Sequence, residues 1–240
     1  MFGAEDHRFA TTRWTLVLAA GNRANPQAPA ALNDLCGIYW PPIYAYLRRH
    51  GWDCRQAEDL TQGFFLKLLE HGGVGRARAE RGKFRTFLLS SLKNYLADEH
   101  DRETALKRGG GTALLSLDAC DDEVWLVREP SHDESPERLF DRRWASTVIS
   151  RALERLEQVM CDSVGPERFA ALRPFLAKGP TGAYADVSRT LGIGESAVRV
   201  GVHRMRRQFG EPLREEIAQT VESPADIEDE LRHLQRIVRA

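Results

Sequence analysis

Residues 184–209 read YADVSRTLGIGESAVRVGVHRMRRQF, and this stretch decides the fold of the C-terminal half of the chain. It divides into a short segment at residues 184–190, a tight turn at 191–194 and a longer segment at 195–209. Apolar residues recur every three or four positions in both segments, as they do on one face of an α-helix. The pattern predicts two helices that pack against each other across a short turn.

The longer segment divides its residues between two faces. The apolar face holds Val198, Val202, Met205 and Phe209, and the opposite face holds Ser196, Arg199, Val200, His203, Arg204 and Arg207. Such a helix fits the major groove of DNA, where Arg bonds guanine edges or phosphates in a two-pronged way. The alternative is a structural helix with a solvated basic face. The turn at residues 191–193 favours DNA contact, because helix-turn-helix units place their turn there.

Charge is distributed unevenly along the 240 residues, although the net charge is only −1. Residues 76–108 carry nine Lys/Arg against five Asp/Glu, and residues 189–208 carry five Arg against one Glu. Residues 118–141 carry nine acids against two Arg, and residues 211–232 carry eight acids against two Arg. Basic islands of this kind are typical of proteins that bind a polyanion. The layout also permits the acidic stretches to mask the basic ones in the free protein.

The sequence offers no pattern for a metal site, a membrane span or catalysis. The four cysteines and seven histidines are scattered, so we expect no metal, no cofactor and reduced thiols in a cytoplasmic protein. No apolar run approaches the length of a membrane span, and the N-terminus lacks the layout of a signal peptide. Glu58 and Asp59 are adjacent and point to different helix faces, which argues against a catalytic pair. We therefore expect a protein that is not an enzyme.

Almost every apolar pattern has helical period, which predicts an all-α chain. We expect helices at residues 12–20, 28–40, 43–50, 54–70, 84–106, 136–161 and 166–176, and from 224 onward. Asp53 is placed to cap the helix that ends at Glu70, and Pro41–Pro42 to break or kink the chain. Glycines at 72, 73 and 75 indicate a loop.

The predicted organisation is two helical domains joined by a flexible acidic linker. Residues 1–108 form the first domain with an N-terminal extension, and residues 109–139 form a linker that opens with three glycines. Residues 140–220 form the second domain with the helix-turn-helix. Residues 221–240 form an amphipathic helix with Ile227, Leu231, Leu234 and Val238 on one face. We expect this helix to pack on its own domain, and a regulatory dock is the alternative.

The basic segment from residue 84 to 108 mixes the aromatic residues Phe84, Phe87 and Tyr95 with several cations. Aromatic rings can stack on unpaired bases while cations neutralise the phosphate backbone, so the composition suits single-stranded or melted DNA. Aromatic residues at helical spacing also form ordinary cores, so composition alone leaves both interpretations open.

Three short motifs carry a resemblance to a known family. They are Glu58-Asp59-Leu60-Thr61-Gln62-Gly63-Phe64-Phe65, then Phe84-x-x-Phe87-Leu88, then Asn94-x-x-x-Asp98-x-x-x-Arg102. Together they resemble regions 2.2 to 2.4 of bacterial sigma factors, in particular the extracytoplasmic-function (ECF) group. Residues 184–209 are similar to the region 4 helix-turn-helix of the same group. The resemblance covers about residues 28–108 and 140–215, with both regions in the family's order.

The resemblance implies a transcription initiation factor that binds core RNA polymerase and promoter DNA, with an anti-sigma factor as a possible further partner. The residues that would dock on the coiled coil of the polymerase β′ subunit are Asp59, Leu60, Gln62 and Phe65. Those that would recognise the −10 element are Arg85, Phe87, Lys93, Asn94, Asp98 and Arg102. Those that would read the −35 element are Ser196, Arg199, His203, Arg204 and Arg207.

The chain departs from the family pattern at Gly63, where an acidic residue is frequent, and at Phe87, where tryptophan is common. A glycine inside a helix costs about 1 kcal/mol relative to alanine, and we expect a weaker polymerase contact there. Two rival functions remain: a conventional DNA-binding regulator, and a nucleic-acid enzyme positioned by its helix-turn-helix. The motif from Asp59 to Gln62 argues against the first, and the missing acid/base and metal patterns argue against the second.

Overall fold

The computed structural model describes Pro26 and residues 28–70, 83–108, 134–176, 183–221 and 224–239. Within these ranges the secondary structure is helical and contains no strand, which confirms the predicted all-α class. The helices are α1 (Ala28–Arg49), α2 (Cys54–Glu70), α3 (Phe84–Arg108), α4 (Pro136–Val164), α5 (Pro166–Leu172), a 3-10 turn (Arg173–Leu176), α6 (Ala183–Leu191), α7 (Glu195–Ala218) and α8 (Pro224–Arg239). The predicted helix at 12–20, the glycine loop at 72–75 and most of the linker lie outside the described residues.

The described residues fall into two compact units. Those up to Ala145 and from Ala218 onward form the first unit, and Ser146–Ile217 form the second. The start of α4 and the whole of α8 therefore belong to the same unit as α1, α2 and α3. The domain boundaries at residues 108, 139 and 220 stay a prediction from sequence.

Helix α1 runs unbroken through Pro41 and Pro42, so the predicted helix end at Trp40 is wrong. A proline inside a helix removes a backbone donor and costs about 3 kcal/mol. Ile38, Tyr39 and Ile43 on either side of the proline pair are completely buried. Burial of apolar side chains before and after the prolines offsets the lost hydrogen bonds, because each large side chain contributes roughly 1.5–3 kcal/mol.

Asp53 caps the start of helix α2, as the sequence predicts, and Gln56 makes the cap reciprocal. The Gln56 backbone N–H donates to Asp53 Oδ1 at 2.8 Å, and the Asp53 N–H donates to Gln56 Oε1 at 3.2 Å. The Asp53 carbonyl also accepts from the Ala57 N–H at 2.9 Å. Two donors that a helix start leaves unpaired are therefore satisfied by side chains.

A close approach between α2 and α3 explains the glycine at position 63. The Phe64 and Tyr95 rings lie 5.8 Å apart between centroids, and both residues are buried. A Cβ atom added to Gly63 would lie 2.5 Å from the Tyr95 hydroxyl oxygen, far inside van der Waals contact. An acidic side chain has no room at this position while Tyr95 keeps its hydroxyl.

The second unit is built around one apolar cluster. Its buried members come from α4, α5, the 3-10 turn and α7, and they are Leu156, Met160, Phe169, Leu172, Phe175, Val198, Val202 and Met205. Tyr184, Val187 and Phe209 pack against this cluster. A Cβ atom on Gly201 would lie 3.3 Å from Leu172 Cδ1, so the glycine allows α7 to approach α5 closely.

Helices α6 and α7 are joined by a three-residue turn, Gly192 to Gly194, where the sequence predicts one. Gly192 has φ of 63°, the left-handed conformation that glycine adopts at helix C-termini. The Ile193 N–H donates to the Ser188 carbonyl at 3.2 Å, and the Gly194 carbonyl accepts from Val198 at 3.1 Å. Helix α7 continues to Ala218 through Pro212, so its predicted end at Phe209 is wrong.

We expect Gly63→Ala to destabilise the wild-type protein and to stabilise the Tyr95→Phe variant. Alanine favours the helix by about 1 kcal/mol over glycine, but its methyl group collides with the Tyr95 hydroxyl. In Tyr95→Phe the nearest atom is the ring carbon Cζ at 3.5 Å, an ordinary contact. Urea unfolding of the four proteins in this double-mutant cycle measures the coupling. The same effect of Gly63→Ala in both backgrounds would contradict the explanation.

Candidate nucleic-acid and polymerase interfaces

The outer face of α7 displays every residue that the periodicity assigns to it. Ser196, Arg199, Val200, His203, Arg204 and Arg207 are all exposed, whereas Val198, Val202 and Met205 are buried in the cluster. The predicted division of this helix into two faces is confirmed. The exposed face offers three guanidinium groups and an imidazole along about three turns of helix.

Two arginines of α7 are positioned by neighbouring elements. The Arg199 guanidinium lies 5.5 Å from the Tyr184 ring centroid and 3.7 Å from the Glu195 carboxylate. Arg206 donates from Nε to the Phe175 carbonyl at 2.9 Å, which ties α7 to the 3-10 turn. The Arg199 guanidinium therefore lies at the surface of the helix, whereas Arg206 has a structural role.

Val200 is an apolar residue in the middle of this polar face, with 60% of its surface exposed. An exposed apolar side chain beside arginines suits a groove that presents thymine methyl groups as well as hydrogen-bonding edges. The helical wheel already places Val200 on this face, so its exposure is predictable from sequence.

The residues of α3 that the resemblance assigns to the −10 element lie on two different sides of the helix. At 3.6 residues per turn, Arg85 lies about 160° from Phe87 around the helix axis. Phe87, Asn94 and Asp98 are close together on one side, with Arg102 near them, and Arg85 and Lys93 are on the other side. The structure therefore separates these six residues into a group of four and a pair.

The group of four lies at the surface, and one of its members, Asp98, is paired with α2. Asn94, Asp98 and Arg102 are exposed, and Phe87 is half-buried with its ring 6.0 Å from that of Phe84. Asp98 Oδ2 lies 2.6 Å from Lys67 Nζ of α2, and this ion pair lowers the pKa of Asp98. This side of α3 is open at the surface.

The pair faces acidic residues of α4 and α8. Arg85 forms ion pairs with Asp141 at 2.7 Å and with Glu230 at 3.0 Å. Lys93 Nζ lies 2.8 Å from Glu137 Oε1, and their hydrogen bond raises the pKa of Lys93 and lowers that of Glu137. Both predicted DNA-binding cations on this side have carboxylate partners within the first unit.

The outer surface of α2 carries some of the residues assigned to polymerase docking. Asp59 and Gln62 are exposed, whereas Leu60 is half-buried and Phe65 is buried. The Phe65 ring stacks on that of Trp40 with centroids 5.9 Å apart, so Phe65 packs α2 against α1. Asp59 and Gln62 thus share an outer face that Leu60 and Phe65 do not reach fully.

Leu66 is a surface residue that the motif comparison missed. It is 52% exposed and lies one turn after Gln62 on the same side of α2. The helical wheel would have identified it, because Leu66 is opposite the apolar stripe of Leu60, Phe64 and Leu68. A single exposed leucine is common on protein surfaces, and Leu66 becomes a candidate for the docking surface because it lies beside Asp59 and Gln62.

Residues 38–105 match the family model for Sigma-70 region 2. This match supports a member of the sigma-70 family. It covers 68 of the 240 residues, which include the whole of α2 and most of α1 and α3. The chain matches none of the curated proteins or solved structures with which it was compared. The ECF subgroup and region 4 rest on the sequence resemblance.

The described residues include no group of three His, Cys, Asp or Glu side chains that could hold a metal ion. None of the described helices is long and apolar enough to cross a membrane.

For the region 2 surface, we expect Leu66→Ser to weaken binding to core RNA polymerase by about 1 kcal/mol or more. Asp59→Ala and Gln62→Ala are expected to weaken it further, with unfolding free energies within about 0.5 kcal/mol of wild type, as for most surface changes. Val159→Ser is the matched control, because Val159 is an equally exposed apolar residue on α4. Titration of labelled protein with core polymerase measures the affinities. Equal affinities of Leu66→Ser and Val159→Ser would remove Leu66 from the docking surface.

For α7, we expect Arg199→Ala or Arg207→Ala to reduce affinity for a cognate promoter by roughly 1–3 kcal/mol where the arginine contacts a base edge. Where it contacts phosphate, the loss is similar on all DNA and the salt dependence falls. Arg206→Ala is a poor control because it loses the bond to the Phe175 carbonyl. Arg173→Ala serves instead, because Arg173 is an exposed residue of the 3-10 turn. Affinities on promoter and random duplexes distinguish the cases, and an equal response on both removes that residue from the specificity set.

Proposed function

We propose that this protein is an RNA polymerase sigma factor of the ECF type. It binds core polymerase through the outer face of α2, brings α3 to the −10 element and brings the outer face of α7 to the −35 element. The observation that carries the proposal is the Sigma-70 region 2 match at residues 38–105, since it falls on α2 and α3. The exposed basic face of α7 supports the second DNA contact.

Polymerase docking has a chemical basis on α2. Asp59 and Gln62 offer a carboxylate and an amide on the same side as the exposed Leu66. A surface that combines one apolar anchor with polar neighbours suits binding to a helical partner such as a coiled coil. The missing side chain at Gly63 leaves no gap in this surface, because the space beside Gly63 is occupied by the Tyr95 hydroxyl.

Promoter melting requires energy that the protein has to supply. Flipping a base out of the stack costs a few kcal/mol, and stacking on an aromatic ring returns roughly 1–3 kcal/mol per base. Phe87, half-buried on the open side of α3, is placed to offer such a ring, and Asn94 offers a hydrogen-bonding group about two turns further along the same side. Cations on the same unit neutralise the phosphates of the separated strand.

Reading of the −35 element would rest on α7 alone. Its exposed residues Arg199, His203 and Arg207 recur at spacings of four, so they align along one side of the helix. A helix inserted in the major groove reaches three to four base pairs with such a row. The conventional-regulator alternative shares this surface and differs only in having no need of polymerase.

The function is tested by multiple-round transcription from a genomic promoter pool, using bacterial core RNA polymerase with and without the protein. We expect discrete new start sites only when the protein is present, with shared motifs near −10 and −35. The variant with Asp59→Ala, Gln62→Ala and Leu66→Ser should lose these starts while keeping duplex DNA binding. Absence of new starts, together with tight and salt-sensitive binding to duplex DNA, would favour the conventional regulator.

A further inference from the structure

The acidic side of α8 lies against the basic side of α3. Glu230 accepts from Arg85 Nε through both carboxylate oxygens, at 3.0 and 3.3 Å, and its side chain is only 2% exposed. Its Oε2 also lies 3.4 Å from Lys83 Nζ. Asp141 of α4 accepts from Arg85 Nη1 at 2.7 Å. One guanidinium thus contacts two carboxylates from two different helices.

The same contact continues into buried aromatic packing. The Arg85 guanidinium carbon lies 5.5 Å from the ring centroid of Trp144, which is completely buried. His233 of α8 lies with its ring 6.2 Å from that of Trp144 and its Nε2 3.4 Å from Asp141 Oδ2. Arg85 is left with 15% of its side chain exposed. A DNA phosphate cannot reach this guanidinium without displacing the carboxylates.

We propose that α8 and the start of α4 form an internal cover over the basic side of α3, in which Glu230 and Asp141 take the place of DNA phosphates. Binding of a separated DNA strand through Lys83 and Arg85 then requires α8 to leave. The proposal rests on the proposed function, because it takes α3 as a DNA-binding helix. The proposal assigns a regulatory role to α8, which follows the two domains predicted from the sequence.

The attachment of α8 is of a kind that DNA can reverse. Among its described residues, only Glu230 and Leu234 are buried, whereas Ile227 and Leu231 are half-buried and Val238 is exposed. The helix is therefore held by one buried leucine, partial apolar contacts and ion pairs. A polyanion competes directly with the ion pairs, since each cation that binds the strand releases a counterion from it.

The acidic residues of the cover lie in the two acidic stretches of the sequence. Asp141 and Glu137 come from residues 118–141, and Glu230 comes from residues 211–232. Their partners Lys83, Arg85 and Lys93 all come from the basic stretch 76–108. The uneven distribution of charge along the chain is thus matched by ion pairs within the first unit.

The experiment compares two double variants of the full chain that remove the same number of negative charges from the same two helices. Asp141→Asn with Glu230→Gln removes the carboxylates that contact Arg85. Asp162→Asn with Asp229→Asn is the control, because both residues are exposed and Asp229 pairs only locally with Arg232. Binding of a fluorescein-labelled single-stranded oligodeoxynucleotide is measured by anisotropy over a range of NaCl concentrations.

We expect the first double variant to bind several-fold more tightly than the control. The slope of log K against log salt should be steeper by about 0.7 for each additional phosphate of the single strand that the uncovered cations neutralise. Affinity and slope equal to those of the control, in a folded protein, would overturn the proposal, and so would weaker binding.

Truncation after Val221 provides a second test that does not depend on point substitutions. A folded truncated protein should also bind the oligonucleotide more tightly, as checked beside its circular dichroism and thermal unfolding. Loss of folding in both the truncated protein and the double variant would show that α8 cannot leave, which also overturns the proposal. If wild type gives new start sites but the variants do not bind DNA more tightly, the cover proposal is overturned and the proposed sigma function is supported.

Discussion

The packing of α8 and the start of α4 against α3 is organised around the charge of Arg85, which α3 carries into a site with little access to water. Moving a cation out of water costs several kcal/mol unless carboxylates and hydrogen bonds compensate. Glu230 and Asp141 provide that compensation, and they come from α8 and from the start of α4. Removing either carboxylate alone leaves a buried charge short of a partner. The positions of α4 and α8 beside α3 are therefore coupled to one side chain.

In the free protein, one side of α3 is open at the surface and the other side is paired with carboxylates of the protein itself. Phe87, Asn94 and Asp98 are on the open side, whereas Arg85 and Lys93 are paired with acids. Leu234 is the one fully buried apolar residue among those described in α8, and burial of such a side chain contributes roughly 1.5–3 kcal/mol. Ion pairs add little net stability because desolvation offsets their attraction. A helix held in this way is suited to exchange with a ligand that offers phosphates in place of carboxylates.

Sequence alone predicts those features that depend on neighbours within a few residues. The spacing of Val198, Val202 and Met205 predicts both faces of α7, and Asp53 predicts the start of α2. The predicted helix end at Trp40, before Pro41–Pro42, is wrong because tertiary burial outweighs a local propensity. The close packing at Gly63 and the ion pairs of Arg85 could not be predicted, because their partners are distant in sequence. The Tyr95 hydroxyl and the Glu230 carboxylate lie 32 and 145 residues further along the chain. No periodicity reports contacts at that separation. The exposure of Leu66 could have been predicted from a helical wheel, but comparison with family motifs considers only the matched positions.

In the proposed cover, α3 uses the same cations to hold its own helices in the free protein and to bind DNA at a promoter. Hydrogen–deuterium exchange of the backbone amides in α8 tests it most directly, in the free protein and in its complex with core polymerase and melted promoter DNA. We expect slow exchange around Glu230 and Leu234 in the free protein, and fast exchange once the promoter is open. Equal protection of α8 in both states would contradict it.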